Sequence, residues 1–92
     1  MKFAKLAVVA GAIVAATVTP ALAETSYVGG GTWVHGLTGH TVYSDYYHYG
    51  KCHGSTSVGT YTDRDAAFAG LWSETEAPRP VTGAEAYWRT TC

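Results

Sequence analysis

Apolar positions are distributed in two different ways along this chain. Leu6 to Val18 form a short, nearly unbroken apolar run, preceded by Lys2 and Lys5 and followed by Pro20 and Ala21-Leu22-Ala23. From Glu24 onward, apolar and polar side chains are interleaved. The first pattern has the three parts of a cleaved secretory signal: a positive start, an apolar middle and a small-x-small cleavage site. It is shorter than the roughly 20 apolar residues of a membrane-spanning helix. Residues 1–23 are therefore predicted to be removed on export by the general secretory pathway, leaving 24–92, 69 residues, as a single domain.

Within 24–92 the pattern predicts short strands. ETSYVGGG (24–31) reads as a flexible lead ending in glycines, GTWVH as a strand and GLTG as a turn. TVYSDYYHY (41–49) is rich in β-formers. Tyr43, Tyr47 and Tyr49 share one of its faces with Asp45, and Val42, Tyr46 and His48 share the other with Ser44. One face is expected to pack inward and the other to be a working surface. YGKCHG is a tight connection, STSVGTYT (55–62) a further strand and DRD (63–65) a turn. AAFAGLW (66–72) fits a helix through Phe68, Leu71 and Trp72, or a strand with Phe68 and Trp72 on one face; its β neighbours favour the strand. APRPVTG (77–83) must be a loop, and AEAYWRTT (84–91) alternates with Ala84, Ala86 and Trp88 inward. The predicted fold class is all-β, five or six short strands in a small antiparallel sandwich or barrel.

Size makes such a core marginal, because a domain this short buries only about 60% of its unfolded surface. Large rings compensate in part: Trp33, Trp72, Trp88, Phe68 and all seven tyrosines lie beyond residue 23. Trp33, His35, Trp72 and Trp88 are assigned structural roles. In an oxidising compartment, Cys52 and Cys92 are most simply a disulfide. Closing a loop of about 40 residues would contribute roughly 4 kcal/mol on the chain-entropy model.

Charge removes two function classes. Lys51, Arg64, Arg79 and Arg89 face seven acids in 24–92, a formal charge of −3. Nucleic-acid binding needs a basic patch, and electrostatic attack on membranes needs a cationic amphipathic segment; neither is present, so membrane insertion is not expected. All four histidines lie in the first half, which would become positive below about pH 6.5.

Candidate chemistry concentrates in SDYYHYGKCHGST (44–56). His35/His40 and His48/His53 are two H-x4-H pairs beside Cys52, but this spacing crosses turns and Cys52 is claimed by the disulfide. No metal or other cofactor is expected; His35 and His53 are candidates for hydrogen bonds that hold loops. The chain has no nucleophile elbow, H-E-x-x-H or phosphate loop, and Glu74 and Glu76 sit beside a proline loop. It is not expected to be an enzyme.

GGTWVHG soon after the signal, YSDYYHYGKCHGSTSV, AGLW and the aromatic AEAYW together resemble the lactococcin 972-type bacteriocins, from Gly30 to Trp88. Asp45 stands where the family's founding member has an asparagine, and the cysteine pair is an addition. The resemblance implies a sandwich of two three-stranded antiparallel sheets and export by the secretory pathway. It also implies capture of the cell-wall precursor lipid II, which blocks septum formation in related Gram-positive bacteria. Lipid II offers pyrophosphate, sugars and a peptide. Lys51, His48 and His53 are the matching donors, and Tyr43, Tyr46, Tyr47 and Tyr49 the matching ring faces. The alternative is a non-toxic secreted envelope module on the same fold. An exposed edge strand would also be open to pairing with a second copy as a homodimer.

Overall fold

A computed structural model describes residues 22–92. The expected leader therefore lies outside the described residues, apart from Leu22 and Ala23, which open the first strand. Seven strands follow in order: β1 Leu22–Val28, β2 Gly31–Leu37, β3 Thr41–Tyr47, β4 His53–Val58, β5 Thr62–Ala67, β6 Trp72–Pro78 and β7 Glu85–Arg89. All pairings are antiparallel, in a four-stranded sheet β1-β2-β3-β6 and a three-stranded sheet β5-β4-β7. The predicted all-β sandwich is what the chain forms, with four and three strands rather than three and three.

The extra strand comes from the supposed lead. Two glycines, Gly29 at φ 62° and Gly30 at φ 83°, make a two-residue turn that pairs Val28 with Gly31. Only glycine, Asn or Asp readily takes positive φ at both central positions of such a hairpin. The glycine run thus folds 22–28 back onto β2 instead of loosening it.

Two further readings are corrected around β5. Residues 66–72 are not one strand: Ala66 and Ala67 end β5, Phe68–Leu71 turn, and Trp72 opens β6. Gly70 at φ 85° and the Leu71 N–H donating to the Phe68 carbonyl (3.1 Å) make the reversal. DRD is not a turn but the middle of β5. Asp65 accepts from the Glu74 N–H and Asp63 from the Glu76 N–H, each at 2.9 Å. Their alternate spacing matches the alternate outward N–H groups of β6, so carboxylates occupy the β6 edge where another strand would pair.

Hydroxyls line the middle of the space between the sheets. Ser55 meets Ser73 at 2.7 Å and Ser57 meets Thr75 at 2.8 Å, across the sheets. Thr75 donates to the Ser44 carbonyl, and the Ser44 hydroxyl to the Tyr87 carbonyl, each at 2.8 Å. These five hydroxyl side chains are fully buried, and their bonds to one another and to backbone supply the partners that buried polar groups need. On the far side of the four-stranded sheet, Val34 and Tyr43 form a small apolar cluster with Trp72 packed against it.

Candidate functional site

Three connections meet at one end of the sandwich: the Gly29–Gly30 turn, the β3–β4 connection (48–52) and the β5–β6 turn (68–71). Beneath them lies a ring cluster. Tyr46 packs on Trp88 (centroids 5.3 Å), on His53 edge-on (5.6 Å) and near His48 (6.4 Å). Its hydroxyl donates to the Val28 carbonyl at 2.7 Å, and burial pushes its pKa up. A side chain at Gly29 would collide with the Trp88 ring and the Tyr46 hydroxyl, so the glycine turn also roofs the cluster.

Two histidines shape the connections above. His48 Nδ1 accepts the N–H groups of Gly50 (3.0 Å) and Lys51 (3.1 Å). That nitrogen must be bare, which leaves the ring proton on Nε2. His53 lies 2.7 Å from the Lys51 carbonyl through Nδ1 and 2.7 Å from the Leu71 carbonyl through Nε2. It bridges the two turns, and Gly70 N–H donating to the His48 carbonyl (2.9 Å) closes the same junction. Both ring nitrogens thus face backbone carbonyls, one from each turn. The expected Cys52–Cys92 disulfide is present beside them, Cα atoms 5.6 Å apart.

The candidate ligand residues divide sharply. Tyr43, Tyr46, His48 and His53 are buried, Tyr47 is half-buried, and Tyr49 and Lys51 are exposed. The side chains of β3 fall on the two faces read from the sequence, but neither is a free working face: one packs against the three-stranded sheet, the other with Val34 and Trp72. Tyr43 and Tyr46 are therefore removed from any surface, and His48 and His53 hold turns. The assigned structural residues are all partly buried. Trp33 donates to Ser44 (2.9 Å) and stacks on His35, Trp72 packs on Tyr47 (5.5 Å), and Trp88 on Tyr46.

Two exposed residues join this end without having been expected there. Phe68, 77% exposed, and Leu71, 57% exposed, stand on the turn tied to the one carrying Tyr49, 74% exposed. A strand over 66–72 would put Phe68 in a sheet; the Ala-Gly step at 69–70 is the local signal for the turn instead. Beside Phe68 an apolar cleft of about 300 Å3 is lined by Cys52, Ala66, Ala67 and Cys92. No acid lies on either turn, so this end presents rings, an apolar cleft and the cation of Lys51. Among the described residues no three His, Cys, Asp or Glu side chains gather as metal ligands would.

Such an arrangement defines a small disulfide-linked β module that presents exposed rings, an apolar cleft and one lysine at one end. Comparison with protein families places it more closely: residues 29–88 match the bacteriocin family described as Bacteriocin (Lactococcin_972), and the chain belongs to that family. Membership implies a secreted protein with bacteriocin-like function. Comparison with curated proteins and with solved structures found no match.

Proposed function

We propose that this chain is an antibacterial protein, exported by the general secretory pathway, that captures a cell-wall precursor of the lipid II type. Capture would block septum and peptidoglycan synthesis in related Gram-positive bacteria. One observation carries the reading: Tyr49, Phe68, Leu71 and Lys51 are presented together on two clamped, acid-free turns. Lys51 supplies a donor for pyrophosphate, and the exposed rings supply flat faces with little rotamer entropy to lose.

The test uses oxidised protein from Glu24 on a panel of Gram-positive strains, with and without added lipid II. Inhibition that lipid II abolishes, and that Lys51→Ala and Tyr49→Ala remove without unfolding the protein, is the expected result. An absence of inhibition on every strain, with no binding to lipid II, would instead favour a non-toxic envelope module.

A further inference from the structure

The apolar cleft beside Phe68 continues onto the outer face of the three-stranded sheet. Ser55 and Ser57 point inward and are fully buried, so Gly54 and Thr56 lie on that outer face. Cross-strand pairing sets two rows there: Arg64, Thr56 and Tyr87, then Ala66, Gly54 and Arg89. Ala66 also lines the cleft, with Phe68 and the Cys52–Cys92 disulfide. The cleft therefore borders the row that carries Arg89.

Arg89 is fixed at the rim. Its guanidinium lies on Gly54, where any side chain would collide with it. Nη2 donates to the Asp65 carbonyl at 3.0 Å, and Nη1 reaches the Ser55 carbonyl and the Thr56 hydroxyl more loosely, at 3.4 and 3.5 Å. The Asp65 carbonyl belongs to the peptide unit that joins Asp65 to Ala66, which places the guanidinium against the cleft. Its Nε–H and one Nη2–H find no acceptor among the described residues, and the side chain is only half-buried.

Arg64 does nothing comparable for the fold. It is exposed, and among the described residues it makes no hydrogen bond or ion pair. Yet it stands one row from Arg89 on the same face. Burial lowers the Arg89 pKa, the Arg64 charge lowers it further, and Asp65 opposes both. The nearby acids are engaged elsewhere. Asp63 and Asp65 accept from β6 N–H groups, and Glu85, opposite Val58, accepts from the Tyr87 hydroxyl at 2.8 Å. A like-charge pair that the fold does not offset is a local conflict of the kind that marks functional positions, and an anion from outside would relieve it.

The cleft narrows the kind of anion. Its side chains are alanine, phenylalanine and cystine, which offer no hydrogen-bond partner to an amide or a hydroxyl but suit a hydrocarbon. Its volume of about 300 Å3 is at the lower end of the ~300–1,000 Å3 of ligand sites, room for one chain or ring. The formal charge of −3 over 24–92 repels polyanions as a whole, whereas a single carboxylate meets two guanidinia at close range. We infer that the cleft and the arginine pair form one binding site for an acyl acid, a monocarboxylate bearing an apolar chain. The chain lies against Phe68 and Ala66, and the carboxylate accepts from Arg89 and Arg64. The inference goes beyond precursor capture, which rests on Lys51 and the turn rings and uses neither arginine.

The experiment is an NMR titration of the oxidised protein with sodium octanoate, kept below its micelle-forming range. Saturable shifts centred on the amides of Gly54, Ala66 and Phe68 and on the Arg89 Nε–H are expected. Octanamide keeps the chain without the charge, and acetate keeps the charge without the chain. Each should bind at least about tenfold more weakly. Arg64→Gln should weaken octanoate about tenfold, the loss of a hydrogen bond to a charged group. Ala66→Leu, which fills the cleft from an exposed position, should abolish binding. Arg64→Gln should also leave the unfolding midpoint unchanged or raised; a clear fall would assign Arg64 to the fold and overturn the inference. Equal binding of octanamide, shifts that never saturate, or indifference to Ala66→Leu overturn it too. So does tighter binding of octyl phosphate or of acetyl-phenylalanine, which would make the site one for a phosphate or for a chain terminus. Growth inhibition does not enter this readout, so failure here leaves precursor capture standing, and the reverse also holds.

Discussion

The space between the two sheets is filled in opposite ways at its end and in its middle. At the end, Tyr46, His48, His53 and Trp88 pack ring against ring under the glycine turn. In the middle, Ser44, Ser55, Ser57, Ser73 and Thr75 meet hydroxyl to hydroxyl, with little apolar surface between them. Rings gain free energy from area removed from water, about 25 cal/mol per Å2. A neutral hydrogen bond gains only about 1 kcal/mol net, yet leaving its partner unmet costs about 1–3. The ring end should therefore supply most of the stability. The hydroxyl middle mainly fixes how the sheets sit on one another.

The comparison breaks first if the ring end is expendable. Tyr46→Ala should cost about 3–5 kcal/mol, as for other large buried rings, measured by urea unfolding. Tyr46→Phe, which loses only the bond to Val28, should cost about 1. A Tyr46→Ala variant as stable as Tyr46→Phe would show that the rings do not carry the core. Tyr46 thus probes the fold, not a ligand surface.

Reducing Cys52–Cys92, which ties the C-terminus to the same end, should lower stability by roughly 4 kcal/mol on the chain-entropy model. The loss should appear as the same lower midpoint by tryptophan fluorescence, which reports the ring end, and by far-ultraviolet circular dichroism, which reports the strands. A change confined to one probe would mean that the two regions unfold separately.

The hydroxyl middle is sharpened by a cycle. Ser57→Ala should cost under about 1 kcal/mol, because Thr75 still donates to the Ser44 carbonyl. Thr75→Val strands Ser57, while the Ser44 carbonyl keeps its ladder partner opposite Thr75, and should cost about 1–3 kcal/mol. The double variant should be less destabilised than the sum of the two, since it leaves one orphan fewer. Strict additivity would say that the hydroxyls do not act as a ladder.

The smallest expected effect is acid dependence from a histidine outside both regions. With His35 lowered chiefly by burial, the unfolded chain binds the proton more readily than the folded one. Its contribution is complete above about pH 6.5 and is lost as pH falls through that value toward the lower folded one. His35→Phe should flatten this part of the pH–stability curve, and an unchanged slope would count against it.

Much of the fold is legible in the amino-acid pattern alone. The β-rich segments, the cysteine pairing and most of the 77–83 loop follow from side-chain type and compartment, although Ala77 and Pro78 close β6 instead of opening that loop. The W-x-H-G and Y-S-x-Y strings carry the family resemblance. Other features are hidden for physical reasons. Ser55, Ser57, Ser73 and Thr75 look like solvent-facing positions, because nothing local says that a hydroxyl will meet a hydroxyl from a strand 18 residues away. Asp63 and Asp65 look like turn formers until β6 supplies the N–H groups they accept. Alternation cannot separate Tyr43 and Tyr46 from Tyr49, since both faces of β3 are covered while the connection after it is not.

The two carboxylates on β6 have a further consequence. A secreted chain of strands risks adding copies of itself edge to edge until it aggregates. Here the outward N–H groups of Glu74 and Glu76 are already engaged by negatively charged side chains of the same molecule. A foreign strand would have to displace them and bury their charge. Growth of the four-stranded sheet is thereby blocked on its β6 side, so any lengthening of it must begin from β1.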